Sequence, residues 1–143
     1  AVVERRRGTG WVVDFVEDLQ TRWSPSSISL DAIGPAGSLL PAFAERGISI
    51  DVLSMTQYGH ACGAFKAAID EGRFVHEGQP GLRAALESAR KRPLGESGLW
   101  GWHRRDTTDI TPLVSVTIAT FAHVRTSGAA HQKPVESRVI VFR

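Results

Sequence analysis

The chain has 143 residues and a mass of 15.5 kDa, the size of a single domain that buries roughly two thirds of the surface its unfolded form exposes. With 42% apolar and 22% charged residues it has a globular composition, which excludes wholesale disorder and a collagen-like fibre. The net charge is only +2, although 14 of the 17 basic residues are arginine. The total therefore demands no nucleic-acid partner, and the distribution of charge carries the information.

In chain order, 1–5 reads as the tail end of a strand, running into Arg5-Arg6-Arg7 and the breaker Gly8-Thr9-Gly10. From Trp11 to Arg22, apolar residues recur at Val12, Phe15, Val16 and Leu19 and continue to Trp23, a helical stripe with Asp14, Glu17 and Asp18 on its wet side. Residues 27–32 (SISLDA) predict a short strand, and Pro35 suits the first turn of a helix burying Leu39, Leu40 and Phe43, with Gly47 as its C-cap. Residues 48–53 (ISIDVL) predict the next strand. Ser54-x-x-Gln57 is a capping box opening a helix through Tyr58, Cys62, Phe65 and Ile69, with Gly72 past its end. Residues 73–76 read as a short strand, and 81–92 as an amphipathic helix through Leu82, Ala85, Leu86 and Ala89, ended by Pro93. Residues 99–104 form an aromatic strand, and 109–123 a last helix through Leu113, Val114, Thr117, Ile118 and Phe121. Residues 125–134 are linker-like, and the closing VESRVIVFR ends in a strand or a tail. Alternating strands and helices with short connections predict an α/β layer fold containing parallel strands.

Several function classes fall away. No apolar run approaches the roughly 18 residues of a bilayer span, and the opening AVVERRRGTG has no signal-peptide core. The single Cys62 makes neither an internal disulfide nor a cysteine-based zinc site, so a reducing compartment is the simpler expectation, and its place on an apolar stripe reads as core. His60 and His103 have no partner at a metal-ligand spacing. The nucleophile-elbow, phosphate-loop and dinucleotide fingerprints are missing from the sequence.

The acidic residues sort by position. Asp14, Glu17, Asp18, Glu45, Asp70, Glu71 and Glu87 fall on wet helix faces. Asp31 differs: it closes a strand among Ile28, Leu30 and Ile33, where ligands gather in parallel α/β sheets and where a partly buried charge needs hydrogen bonds, a cation or a metal. An aspartate bonding nearby backbone N–H groups in its loop explains the same position. Asp109, just before an apolar helix with Pro112 in its first turn, has the look of a helix cap. Basic residues gather at Arg83, Arg90, Lys91, Arg92, Arg104 and Arg105, with Trp100 and Trp102 between them. That mixture suits a phosphate backbone, and equally a solvated face.

Three stretches together resemble the C-terminal nuclease domain of the large terminase subunit of tailed bacteriophages. They are Ser29-Leu30-Asp31-Ala32-Ile33-Gly34-Pro35-Ala36-Gly37-Ser38-Leu39, the run from Thr56-Gln57-Tyr58 through Asp70-Glu71-Gly72 to His76, and Arg104-Arg105-Asp106-Thr107-Thr108-Asp109-Ile110-Thr111-Pro112-Leu113-Val114. The likeness runs from about residue 1 to 124. It implies a ribonuclease-H-like mixed sheet flanked by helices over 1–124, with 125–143 as linker and tail. It also implies cleavage of concatemeric double-stranded DNA with two Mg²⁺ or Mn²⁺ ions, Asp31 and Asp109 being catalytic metal ligands. The motor domain, the small terminase subunit and the portal are the implied partners, no membrane is involved, and the host cytoplasm is the implied location. The family's first acidic strand has no counterpart here, so the resemblance also implies an incomplete site, with a DNA-binding or assembly module without catalysis as the second expectation. A small-molecule α/β enzyme using the strand-end pocket is the third.

Overall fold

The computed structural model describes residues 2–105, 108–127 and 139–142. Among them the chain is a mixed α/β protein: β1 (Val2–Arg6), α1 (Val12–Trp23), β2 (Ser29–Asp31), a 3₁₀ turn (Pro35–Leu39), α2 (Leu40–Glu45), β3 (Asp51–Leu53), α3 (Met55–Asp70), α4 (Pro80–Glu87), β4 (Lys91–Pro93), β5 (Trp100–Trp102), α5 (Thr111–Ser127) and β6 (Val139–Phe142). The described strands form three separate pairs, β1 with β6 and β2 with β3 parallel, β4 with β5 antiparallel. No described helix is long and apolar enough to cross a membrane.

The β2–β3 pair organises the layers. Its register sets Leu30 opposite Val52 and Asp31 opposite Leu53. Because side chains alternate along a strand, Leu30 and Leu53 point to opposite faces. Leu30 packs with Val12, Val13, Val16, Phe43 and Ile48 under α1 and α2. Leu53 packs with Tyr58, Cys62, Phe65, Trp102, Leu113 and Ile118, under α3 and α5. The same alternation turns Asp31 toward the α3–α5 face, where it is buried at 4% exposure.

Local chemistry explains the helix ends. Ser24, left-handed at φ 44°, closes α1 with its N–H on Gln20 O, and Pro25 follows. Ser54 and Gln57 form the expected reciprocal capping box on α3. Across α5, the buried Trp102 donates its indole N–H to Thr117 Oγ1 at 2.9 Å, so the aromatic strand and the last helix share one core.

Three expectations need correction. The helix expected over 81–92 ends at Glu87, where Ser88 is the C-cap and its hydroxyl turns back onto Ala84 O. Residues 91–93 instead pair with 100–102 in a hairpin whose loop has Gly95 and Gly98 at positive φ. Burial of Leu94 and Trp102 in the core accompanies that pairing, so Arg90, Lys91 and Arg92 belong to a sheet edge rather than to a helix face. Residues 73–76 form no strand; Phe74 leaves the chain to pack edge-on against Phe65 at 4.8 Å. Finally, α5 runs through Ser127, three residues into the stretch read as linker. Residues 128–134 of that stretch lie outside the described residues, whereas 139–142 form β6 beside β1.

Candidate functional site

Asp31 stands at the carboxyl end of β2, and its carboxylate is paired with Arg104 Nη2. The loop-aspartate alternative is therefore not what compensates its burial; a guanidinium does. The pair is almost enclosed, with side-chain exposures of 6% for Asp31 and 22% for Arg104. Two glycines make room for it. A Cβ at Gly34 would stand 2.5 Å from Asp31 Oδ1 and 3.0 Å from Arg104 Nη1, and one at Gly101 would stand 2.8 Å from the Tyr58 ring. The Gly-Pro turn after β2 and the glycine of the Trp-Gly-Trp strand are thus packing requirements of one cluster.

Tyr58, fully buried, lies beneath Arg104, whose guanidinium sits 5.0 Å from the ring centroid. Burial pushes the Tyr58 phenol well above its ordinary value, and it pushes the Cys62 thiol up to about 11. Burial by itself pulls Arg104 down, but its interactions with Tyr58 and Asp31 outweigh it and the guanidinium is held above its ordinary value. Tyr58 Oη and Arg104 Nε are buried without a well-formed hydrogen bond among the described residues. At neutral pH the phenol and the thiol of the cluster are therefore neutral.

Asp109 is arranged differently. Its Oδ1 accepts the Thr111 N–H at 3.0 Å and the Thr111 hydroxyl, an aspartate turn that leads into α5 from one residue before the expected cap position. Its Oδ2 accepts from Arg5 Nη2 at 2.7 Å and Nε at 3.2 Å. One quarter of the Asp109 side chain is exposed. It lines an open cleft of about 510 Å³ with Arg5, Arg7, Gly81, Ala84, Thr108 and Thr111. Among the described residues lining that cleft, Asp31 does not figure.

Arg125, near the end of α5, bonds Asp51 at the start of β3 at 3.2 Å, and α5 packs along β2.

The basic residues separate in the same way. Arg83, Arg90, Lys91 and Arg105 are exposed, and Arg92 is half-buried. Lys91 Nζ rides 4.2 Å above the Trp100 ring, so that ammonium is already partly engaged. Arg104, expected to face a phosphate backbone, is turned inward to Asp31. Sequence reasoning missed Arg5, Arg7 and Tyr58; the Arg5-Arg6-Arg7 run at the end of β1 is the signal that pointed to the first two.

Oxygen donors such as these suit a hard divalent cation in kind. In number they fall short of a two-ion site, because among the described residues no three His, Cys, Asp or Glu side chains gather closely enough to hold a metal. A cation at either acid must also displace an arginine. The chain matches no protein-family model, no curated protein and no solved structure with which it was compared.

Proposed function

We propose that this chain is the ribonuclease-H-like nuclease portion of a tailed-bacteriophage large terminase subunit, cutting concatemeric double-stranded DNA by metal-dependent phosphodiester hydrolysis. The single observation that most supports this reading is the buried Asp31 at the carboxyl end of a parallel strand pair, an acid held out of water by a single arginine. Asp31 and Asp109 are the carboxylates that would hold Mg²⁺ or Mn²⁺. When bound, the ions supply Lewis-acid stabilisation of the phosphodiester and a water that is readily deprotonated. Arg104 pairs with Asp31 and holds it in place, and the enclosing Tyr58, Gly34 and Gly101 leave the pair little room to move. The exposed Arg83, Arg90, Lys91 and Arg105 supply sequence-independent phosphate contacts. The motor domain, the small terminase subunit and the portal are the partners of this reading, in the host cytoplasm at the procapsid.

Nicking of supercoiled plasmid in Mn²⁺ tests the proposal. Asp31→Asn and Asp109→Asn each lower the rate by about a hundredfold or more while melting remains cooperative. Wild-type cleavage by both variants would overturn the assignment. The arginine pairing of both acids favours a second reading, a duplex-binding module without catalysis. Salt-sensitive DNA binding in chelator, with no nicking at any Mn²⁺ concentration, selects that alternative.

A further inference from the structure

Among the described residues, the cleft beside Asp109 is lined by two arginines, Arg5 and Arg7, and one acid. Gly81 lies in the first turn of α4, and a Cβ at that position would stand 2.7 Å from Arg5 Nη1. Glycine thus lets the Arg5 guanidinium lie against a helix N-terminus, where the orphan N–H groups carry the same sign of charge. The N-cap Gln79 gives that turn no side-chain bond, because its amide is committed to both the N–H and the O of Val2 at 2.7 Å. Asp109 accepts from Arg5 through Nη2 and Nε. Arg7 lines the same cleft, is exposed, and has no hydrogen-bond or ion-pair partner among the described residues. Thr108 and the first turn of α5, at Thr111, complete the wall.

We infer that this cleft is a phosphate subsite, with the Arg7 guanidinium and Arg5 Nη1 as its charged donors and the first turn of α4 as its backbone wall. The tetrahedral anion relieves the repulsion between Arg5 and α4, and a planar guanidinium fork matches two of its oxygens. Asp109 faces the cleft as well, but both its oxygens are already engaged, by Thr111 and by Arg5. The chemistry is that of a phosphate group, free or in a nucleic-acid backbone. The backbone source rests on the proposed function, whereas the subsite itself does not.

The test uses the full chain without added divalent metal. Inorganic phosphate raises the melting temperature of the wild type above that in sodium chloride of equal ionic strength. Arg7→Gln abolishes this shift, and Arg22→Gln, an exposed arginine on α1, retains it. A fluorescent DNA duplex forms the second arm: Arg7→Gln weakens its binding by about tenfold and lowers the salt slope by about one. Loss of the phosphate shift with unchanged duplex affinity supports the subsite with free phosphate as its ligand. No phosphate shift in the wild type, or a full shift in Arg7→Gln, overturns it. The phosphate arm involves no cleavage, so its result is independent of whether Asp31→Asn abolishes nicking.

Discussion

Asp31 and Asp109 both meet an arginine, yet the ground around them differs. The Asp31–Arg104 pair lies over Tyr58 and is walled by glycine backbone, with the carboxylate almost wholly out of water. The Asp109–Arg5 pair opens into a cleft, with roughly a quarter to a third of each side chain wet. The same ionic contact therefore has two different consequences. At the closed end neither partner can be removed without leaving a buried charge. At the open end water screens the pair, and the exposed Arg7 stands beside it.

The largest expected effect breaks the closed pair. Arg104→Ala leaves the Asp31 carboxylate uncompensated and lowers unfolding free energy by about 3–5 kcal/mol in urea titration. The double variant Asp31→Leu with Arg104→Met recovers much of that loss. If Arg104→Ala alone unfolds within about half a kcal/mol of wild type, the pair is not isolated from solvent. Next come the glycines: Gly34→Ala, meeting Asp31 Oδ1, and Gly101→Ala, meeting the Tyr58 ring, each destabilise by about 1–3 kcal/mol. Equal tolerance at both positions would mean that the cluster yields.

A pH titration sharpens the contrast. The Cys62 thiol is raised from 9.0 to about 11 in the folded chain, so the unfolded chain loses that proton first. The corresponding stability is fully present below pH 9 and is lost as pH rises through 11, amounting to roughly 2–3 kcal/mol. Tyr58, raised for the same reason, extends the loss to higher pH. Thiol alkylation of the native protein should stay slow at neutral pH, and rapid labelling of a cooperatively folded sample would contradict the burial. The smallest effect belongs to the open pair, where Arg5→Ala costs about 1 kcal/mol.

How much of this was legible follows from the range of each interaction. The α3 capping box spans three residues, and the α1 stripe repeats within one helix, so both stand in the sequence itself. Asp31 was marked because its neighbours are apolar, and Asp109 because Pro112 follows it. Their arginine partners were not visible, since Arg104 lies 73 residues from Asp31, and Arg5 lies 104 from Asp109. Residues 88–92 were misread as helix because the leucine and alanine spacing ran on toward Pro93, whereas 91–93 pair with the distant Trp100–Trp102 strand. The phosphate-binding appearance of Arg104 failed for the same reason: charge in a sequence has no direction until the fold supplies one.

The most direct measurement is a double-mutant cycle on Mn²⁺-dependent plasmid nicking with Asp31→Asn, Asp109→Asn and the combined variant. If the two acids serve one centre, each single substitution removes nearly all the activity and the double variant is no slower than the worse single one. Losses that multiply, or single variants that nick like wild type, would show that Asp31 and Asp109 do not act together.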